Sequence, residues 1–180
     1  MEYNIGIPSA MKSDYFFGDV QNIKIDSTAF QNWNKAALDN FNYELLFTNE
    51  ITCYHPWENS EEVIPHLFDE WRSIKEHLEN FYSKRDVKKA APYMKQAISI
   101  SLSSIFWMNN SPVNIQEWST KVESFKHVPV NFSERMNFIL SRPNLYQSFK
   151  TIEQIINELE KIFAVLQIKK NNKIKKSSTL

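Results

Sequence analysis

The sequence predicts an all-α fold, an irregular bundle of about five or six helices preceded by an irregular N-terminal arm. Apolar residues recur at spacings of three and four along most of the chain, which is the period of amphipathic helices. Clusters of Pro and Asn interrupt this period at NNSPV (109–113) and RPN (142–144) and mark helix ends. Only VQNIKI (20–25) resembles a strand, and one such run cannot make a sheet.

Residues 1–26 are predicted to form the arm, and residues 27–166 a single helical domain. Ser27 or Thr28 is a suitable N-cap for the first helix, because a side-chain oxygen there can accept a hydrogen bond from a free backbone N–H. The apolar positions of that helix are Phe30, Trp33, Ala37, Phe41 and Leu45.

The crowded stretch HPWENSEEVIPH (55–66) predicts a structural corner before the second helix. A residue that precedes Pro is disfavoured in the helical region, so we expect Ile64 to be extended and the helix to begin at Pro65. Trp57 is expected to fill the core, while the neighbouring acids favour the positive end of the helix dipole. The apolar face is predicted at Leu67, Phe68, Trp71, Ile74, Leu78, Phe81 and Tyr82.

Four further helices are predicted. The third begins at Val87 or Pro92, with Asp86 as a cap, and ends at Asn109; its serines are small enough to allow close helix approach. Shorter helices follow over 115–126 and from Ser133, as N-cap, to 140. The last helix has a heptad seam that is better suited to a bundle interior than to a two-stranded coil. That seam consists of Leu145, Phe149, Ile152, Ile156, Leu159, Phe163 and Leu166.

The scarcity of glycine disfavours whole classes of enzyme. The chain has two glycines, Gly6 and Gly18, where an average usage of about 7% would give roughly a dozen. Phosphate-binding loops, dinucleotide fingerprints and nucleophile elbows all need closely spaced glycines, because the backbone must approach phosphate or make a strained turn. Neither glycine lies in such a pattern.

Cysteine usage and hydropathy predict a cytoplasmic protein. Cys53 is the single cysteine and cannot form an internal disulfide, which is typical of a reducing compartment. No run approaches the roughly 18 apolar residues that span a membrane, and the N-terminus lacks the basic flank and apolar run of a secretory signal.

Two clusters of residues are candidates for a catalytic or a metal site. Cys53 and His55 form a possible thiolate–imidazole pair, but no orienting group or oxyanion site is visible, so the structural corner is favoured. His66 and Glu70, at i and i+4, can start a metal site that needs partners from elsewhere, while His77 lies too far along the helix. The residues therefore predict no catalytic group and no cofactor, and solvated pairing is the simpler reading of His66 and Glu70.

The C-terminal residues 167–180 are predicted to be a basic, disordered tail. They hold five lysines and no acid, which leaves 16 basic against 21 acidic groups in the other 166 residues. Such a run can neutralise phosphates of nucleic acid, and SKRDVKK (83–89) offers a second cluster. A solvated terminus is the favoured reading of the run. The nucleic-acid candidates are Lys169, Lys170, Lys173, Lys175 and Lys176.

Binding to another protein is the favoured function. Aromatic residues dominate interface energetics, so exposed rings in the N-terminal region are the expected anchors. These candidates are Tyr3, Tyr15, Phe16, Phe17 and Tyr54. A non-catalytic adaptor or accessory module that acts as a monomer or homodimer is thus the leading hypothesis. A nucleic-acid accessory protein and a metal-dependent helical enzyme are the alternatives.

A family resemblance depends on the order of several short motifs. They are Pro56-Trp57, Pro65, Leu67-Phe68, Trp71, Phe106-Trp107, Asn109, Pro112-Val113, Trp118, Pro129-Val130-Asn131, Glu134-Arg135, Phe138, Tyr146, Ser148-Phe149 and Glu158-Leu159-Glu160-Lys161. In these the chain resembles the YpoC-like family over roughly residues 10–166. The resemblance implies a small cytosolic protein of the Firmicutes, and it carries over no activity and no functional residue.

Overall fold

An antiparallel hairpin opens the chain in the computed structural model, which describes residues 1–35 and 40–177, with side chains through Asn172. Strand β1 (Glu2–Gly6) pairs with β2 (Asn22–Asp26) so that Ile5 lies opposite Ile23. Ile5 and Ile25 face the core, and Glu2 and Asp26 face solvent. The prediction of an arm without a sheet was therefore wrong, because Glu2–Gly6 supplies the partner that VQNIKI needs.

The predicted first helix is replaced by two shorter elements. A 3-10 turn, Ser27–Phe30, is capped by the Asp26 side chain, which accepts a hydrogen bond from the Thr28 N–H; Ser27 and Thr28 are not the caps. Helix α1 (Asn42–Thr48) begins only after Phe41, whose φ of 52° is left-handed and interrupts a helical path. One continuous helix from Phe30 to Leu45 was thus wrong, and Ala37 lies outside the described residues.

Helix α2 (Ser60–Ser83) begins one turn earlier than predicted and contains Pro65. Ile64 is therefore helical, contrary to its expected extended conformation. Burial of Val63 and Ile64 at 1% and 0% exposure offsets the hydrogen bond that Pro65 cannot donate. The prediction for Trp57 is confirmed, since it is 4% exposed.

Helix α3 (Val87–Met108) is the central element of the bundle. Asp86 caps it by accepting a hydrogen bond from the Lys89 N–H at 3.2 Å, as predicted, and Pro92 lies within the first turns. Every residue from Ala97 to Met108 is buried. A helix that is buried on all sides must have neighbours on all sides, and α2 and α6 supply two of them.

The remaining helices are α4 (Trp118–Glu123), α5 (Phe132–Ser141) and α6 (Tyr146–Ser177). Asn131, with a φ of 53°, is the N-cap residue of α5 in place of Ser133. The interior placement of the heptad seam is confirmed for Phe149, Ile152, Ile156 and Leu159, whereas Leu145 is 45% exposed, and Phe163 and Leu166 are half-buried.

Helix α6 also continues through the lysine run to Ser177. The helix thus passes residue 166, where the sequence predicted the end of the helical domain, and the division into domain and tail stays a prediction. No helix of the described residues is both long enough and apolar enough to cross a membrane.

Candidate functional site

The predicted aromatic anchors belong mainly to the core. Phe16 and Phe17 are 3% and 7% exposed, so neither can anchor a partner in this conformation. Tyr3, Tyr15 and Tyr54 are half-buried and pack against the same core. Because none of the five is an exposed ring, the adaptor hypothesis loses the surface on which it was based.

Cys53 and His55 do not face each other as a catalytic pair. The Cys53 Sγ lies 3.6 Å from the Tyr43 carbonyl oxygen, and burial raises the pKa of the thiol to about 11. His55 Nδ1 lies 3.1 Å from Glu58 Oε1, and its ring stacks on Trp57 at 4.9 Å. These partners confirm the structural corner that the sequence favoured.

The possible metal ligands on α2 have structural partners. The His66 ring stacks on Trp33 at 6.0 Å, and Glu70 Oε2 lies 3.8 Å from Lys35 Nζ. His77 packs on Tyr93 at 4.8 Å. Within residues 1–35 and 40–177, no three His, Cys, Asp or Glu side chains are grouped as metal ligands.

A surface cleft of about 540 Å³ lies where the start of α2, the end of α3 and the second half of α6 meet. Its apolar floor consists of Met108, Phe163 and Leu166. Its charged rim residues are Glu61, Lys126, Lys169 and Lys170, and the imidazole of His127 also lines the rim. We call this feature the basic cleft.

The turn at Lys126–His127 is held by the end of α3. The Asn109 Oδ1 accepts hydrogen bonds from both backbone N–H groups, at 3.1 and 3.0 Å, and Nδ2 donates to the His127 carbonyl at 3.0 Å. Phe125 packs edge-on against Phe106 at 4.9 Å. These contacts fix the backbone from which the Lys126 and His127 side chains extend, relative to α3.

The charges of the cleft are unbalanced. Lys170 pairs with Glu61, but neither Lys126 nor Lys169 has an ion pair with any described residue. Burial, and then the charges of Lys126 and Lys169, lower the pKa of His127. Burial and the two lysines thus disfavour the charged form of His127, and a bound anion favours it.

The structure brings only part of the predicted lysine set to this cleft. Lys169 and Lys170 line it, whereas the side chains of Lys173, Lys175 and Lys176 lie outside those described. The second predicted cluster, 83–89, follows the far end of α2, whose 24 residues span about 36 Å. The two basic clusters therefore stand at opposite ends of the bundle.

Glu44 is a buried acid that sequence reasoning missed. It is 1% exposed; Oε1 accepts hydrogen bonds from Trp107 Nε1 at 2.8 Å and from the Val113 N–H at 3.3 Å. Oε2 has no hydrogen-bond partner among the described residues, and burial raises the pKa of the carboxyl from 4.5 to about 7. The sequence feature that indicates a buried acid here is the position of Glu44 inside the apolar run YELLF (43–47). Glu44 ties α1 to α3.

A second surface feature is the groove between α5 and α6, with a volume of about 720 Å³. Val130 stands at its mouth with 76% of its surface exposed, between buried Pro129 and left-handed Asn131. Arg135 holds this corner, because it donates to the Val130 carbonyl and pairs with Glu158 through two hydrogen bonds of 2.8 and 2.9 Å. The groove therefore displays an apolar side chain on a fixed backbone.

Fold and surface together define a small helical-bundle protein with an N-terminal hairpin and a cation-rimmed cleft. The family model described as YpoC-like protein matches residues 61–171, which is more than half of the chain. The chain therefore belongs to the YpoC-like family, as the motif order predicted. The match begins after the hairpin and α1 and includes Lys169 and Lys170, so the predicted coverage of 10–166 was wrong at both ends.

A curated relative supports this assignment. Over 118 residues the chain is 31% identical to a protein of Bacillus subtilis (strain 168) named Uncharacterized protein YpoC. The aligned region covers 65% of this chain and 72% of the relative. No solved structure matches the chain.

Proposed function

We propose that this protein is a non-catalytic accessory protein that binds nucleic acid through the basic cleft. The observation that carries the proposal is the convergence of Lys126, His127 and Lys169 on one cleft from segments far apart in the sequence. The lysine run alone is explained by a solvated helix end. Cations from a second segment, held in place by Asn109, are not.

Charge distribution supports a polyanionic ligand. Residues 1–166 carry 16 basic and 21 acidic groups, so attraction for an anion is confined to a part of the surface. The α6 backbone remains helical beyond Lys170 to Ser177, so positions 169, 173 and 176 follow one another on one face. A polymer of phosphates can contact both the cleft and the helix that continues from it.

The charged residues of the cleft predict binding that depends on salt. Lysine is a flexible point charge that neutralises phosphate, and among the described residues no arginine lines the cleft. The amide side chains of Asn110, Gln167 and Asn172 also line it, and such groups can contact base edges. We therefore expect phosphate contacts at the lysines to make the affinity strongly dependent on salt.

The test is fluorescence anisotropy of a labelled 12-nucleotide oligonucleotide titrated with protein at several salt concentrations. The test variant, Lys126→Glu with Lys169→Glu, reverses two rim charges. The matched control, Lys12→Glu with Lys24→Glu, makes the same change in net charge at exposed lysines that line neither the cleft nor the 83–89 cluster.

Two lysine–phosphate contacts, at Lys126 and Lys169, predict that wild-type affinity for a single strand falls roughly sevenfold between 50 and 200 mM salt. The cleft variant is expected to lose this salt dependence and at least about tenfold in affinity at low salt, while the control stays close to wild type. Equal losses in the two variants, or no wild-type binding at 50 mM salt, refute the proposal.

A second candidate function, contact with another protein, is favoured by Val130. Val130 is 76% exposed beside a groove, and contact with another protein would remove this apolar surface from water. Gln147, Thr151 and Gln154 line the same groove with polar groups that can bond to the backbone of an extended segment. The occupant proposed here is an extended peptide segment that places one apolar side chain against Val130 and Phe138.

This candidate is tested by placing a photo-crosslinking phenylalanine analogue at position 130 in living host cells. The control carries the analogue at Val20, which is 47% exposed and does not line the groove. A crosslinked protein found at position 130 and absent at position 20 supports the contact, and its loss on Arg135→Leu connects it to the fixed corner. Identical adducts at both positions, or none at position 130, refute it.

A further inference from the structure

The floor of the basic cleft has the properties of a stacking platform. Phe163 is half-buried and contacts Phe68 edge-on, with ring centroids 6.0 Å apart, while it also lines the cleft. Met108 and Leu166 complete an apolar floor beneath a cationic rim. An anion alone gains nothing from such a floor, because inorganic phosphate has no apolar surface to bury.

Aromatic rings next to backbone-tracking cations are the combination with which proteins hold unpaired nucleotides. We infer that the basic cleft takes one unpaired base of a single-stranded nucleic acid, stacked on the ring of Phe163, with the adjoining phosphates at Lys126, His127 and Lys169. This inference depends on the proposed function and names its ligand. Bases in a duplex are stacked on each other and cannot reach the floor.

The size of the cleft agrees with this ligand. Pockets for small organic ligands generally have volumes of roughly 300–1,000 Å³, and the cleft has about 540 Å³. That volume exceeds what a single phosphate needs and accommodates a base with its sugar. Because Lys126 and Lys169 both lie close enough to His127 to act on its charge, and both line the cleft with Phe163, the phosphates next to a seated base can contact these lysines.

The Lys170–Glu61 pair has a separate role. It joins the second half of α6 to the start of α2 and thereby closes one side of the cleft. Lys170 is consequently not assigned a phosphate contact. The phosphates of the strand are assigned to Lys126 and Lys169, which have no acidic partner among the described residues.

The experiment compares three labelled ligands of equal length by anisotropy: a thymidine 12-mer, an abasic 12-mer with the same phosphates, and a duplex. Wild-type protein is expected to bind the thymidine strand about tenfold more tightly than the abasic strand, and the duplex no better than the abasic strand. Phe163→Leu keeps the apolar bulk but removes the ring, and is expected to abolish this preference while leaving the salt slope unchanged.

Two further variants and one fluorescence measurement distinguish loss of stacking from a general effect of the Phe163 substitution. Phe163→Tyr retains the ring and is expected to retain the base preference, while Phe138→Leu makes the same ring deletion at a half-buried site in the α5–α6 groove and is the matched control. The fluorescence of 2-aminopurine placed in the strand reports stacking with wild-type protein alone, in case Phe163→Leu does not fold.

The outcomes separate the two claims. Equal wild-type affinity for the abasic and thymidine strands overturns the base site, but leaves salt-dependent polyanion binding standing. The base site is also refuted if Phe163→Leu weakens both ligands to the same extent. Absence of binding to all three ligands at low salt overturns the proposed function, and the base site with it.

Discussion

Substitution of Glu44 by Gln should change how the stability of the fold depends on pH. The amide keeps an oxygen that can accept from Trp107 Nε1 and the Val113 N–H, and it cannot ionise. The wild-type carboxyl is fully buried with a pKa of about 7, because the charged form is desolvated there. In the unfolded chain the same group returns to its ordinary value of 4.5.

The sign and size of the effect follow from that shift. Between pH 4.5 and about 7 the folded state holds a proton that the unfolded state has lost, so the free energy of unfolding falls as the pH rises. The whole shift corresponds to about 3 kcal/mol, of which about 2.5 kcal/mol falls between pH 5 and pH 8. The contribution is fully present below the unfolded pKa and is lost as the pH passes the folded value.

Urea denaturation followed by circular dichroism at half-unit steps from pH 5 to pH 8 measures this directly. The difference in unfolding free energy between wild type and Glu44→Gln should change by about 2.5 kcal/mol across the range, with the variant gaining on wild type as pH rises. A constant penalty of about 1–3 kcal/mol from the unpartnered amide N–H groups does not alter that change. Glu50→Gln, at an exposed glutamate, is the matched control. Parallel curves for wild type and Glu44→Gln refute the assignment.

Three further predictions concern the basic cleft. Glu61→Gln frees Lys170 and should raise oligonucleotide affinity by up to about fivefold in anisotropy titrations; unchanged or weaker binding contradicts the role of the pair. Asn109→Ala removes the bonds that hold the 126–127 turn, and should both destabilise the fold by about 1–3 kcal/mol in urea denaturation and weaken binding; full affinity rules out a positioning role. His127 lies near Lys126, Lys169 and the Glu61–Lys170 pair, and its pKa measured by NMR titration should be below the usual range. That pKa should rise when oligonucleotide binds; a pKa insensitive to oligonucleotide excludes phosphate at the rim.

The sequence predicted best the elements whose apolar residues form long periodic patterns. Helix α3 was placed within a residue at its end and with the right cap, and the middle of the α6 seam, from Phe149 to Leu159, was assigned correctly to the interior. The hairpin was missed because β1 is short and only its pairing with β2 reveals it. The start of α2 was missed because a local rule about Pro65 was outweighed by burial of Val63 and Ile64.

The candidate site was predictable only in part, for a physical reason. A lysine run is visible in any sequence, so Lys169 and Lys170 were named, but the approach of Lys126 and His127 depends on a tertiary contact through Asn109. Aromatic composition likewise does not reveal which rings are buried. The adjacent rings of Phe16 and Phe17 looked like anchors and proved to be core, whereas exposed Val130 carried no distinguishing pattern.

Helix α6 connects the stability of the fold to the chemistry of the cleft. Its first half is fixed in the bundle by residues such as Phe149 and Leu159, and its second half supplies the floor and one side of the rim. Because an α-helix advances about 1.5 Å and turns about 100° per residue, packing of the first half determines the direction in which Lys169 points. The part of the rim at residues 126–127 is held by α3 through Asn109. The distance between Lys126 and Lys169 therefore follows from the packing of α3 against α6. A ligand that contacts both lysines is selected by that distance.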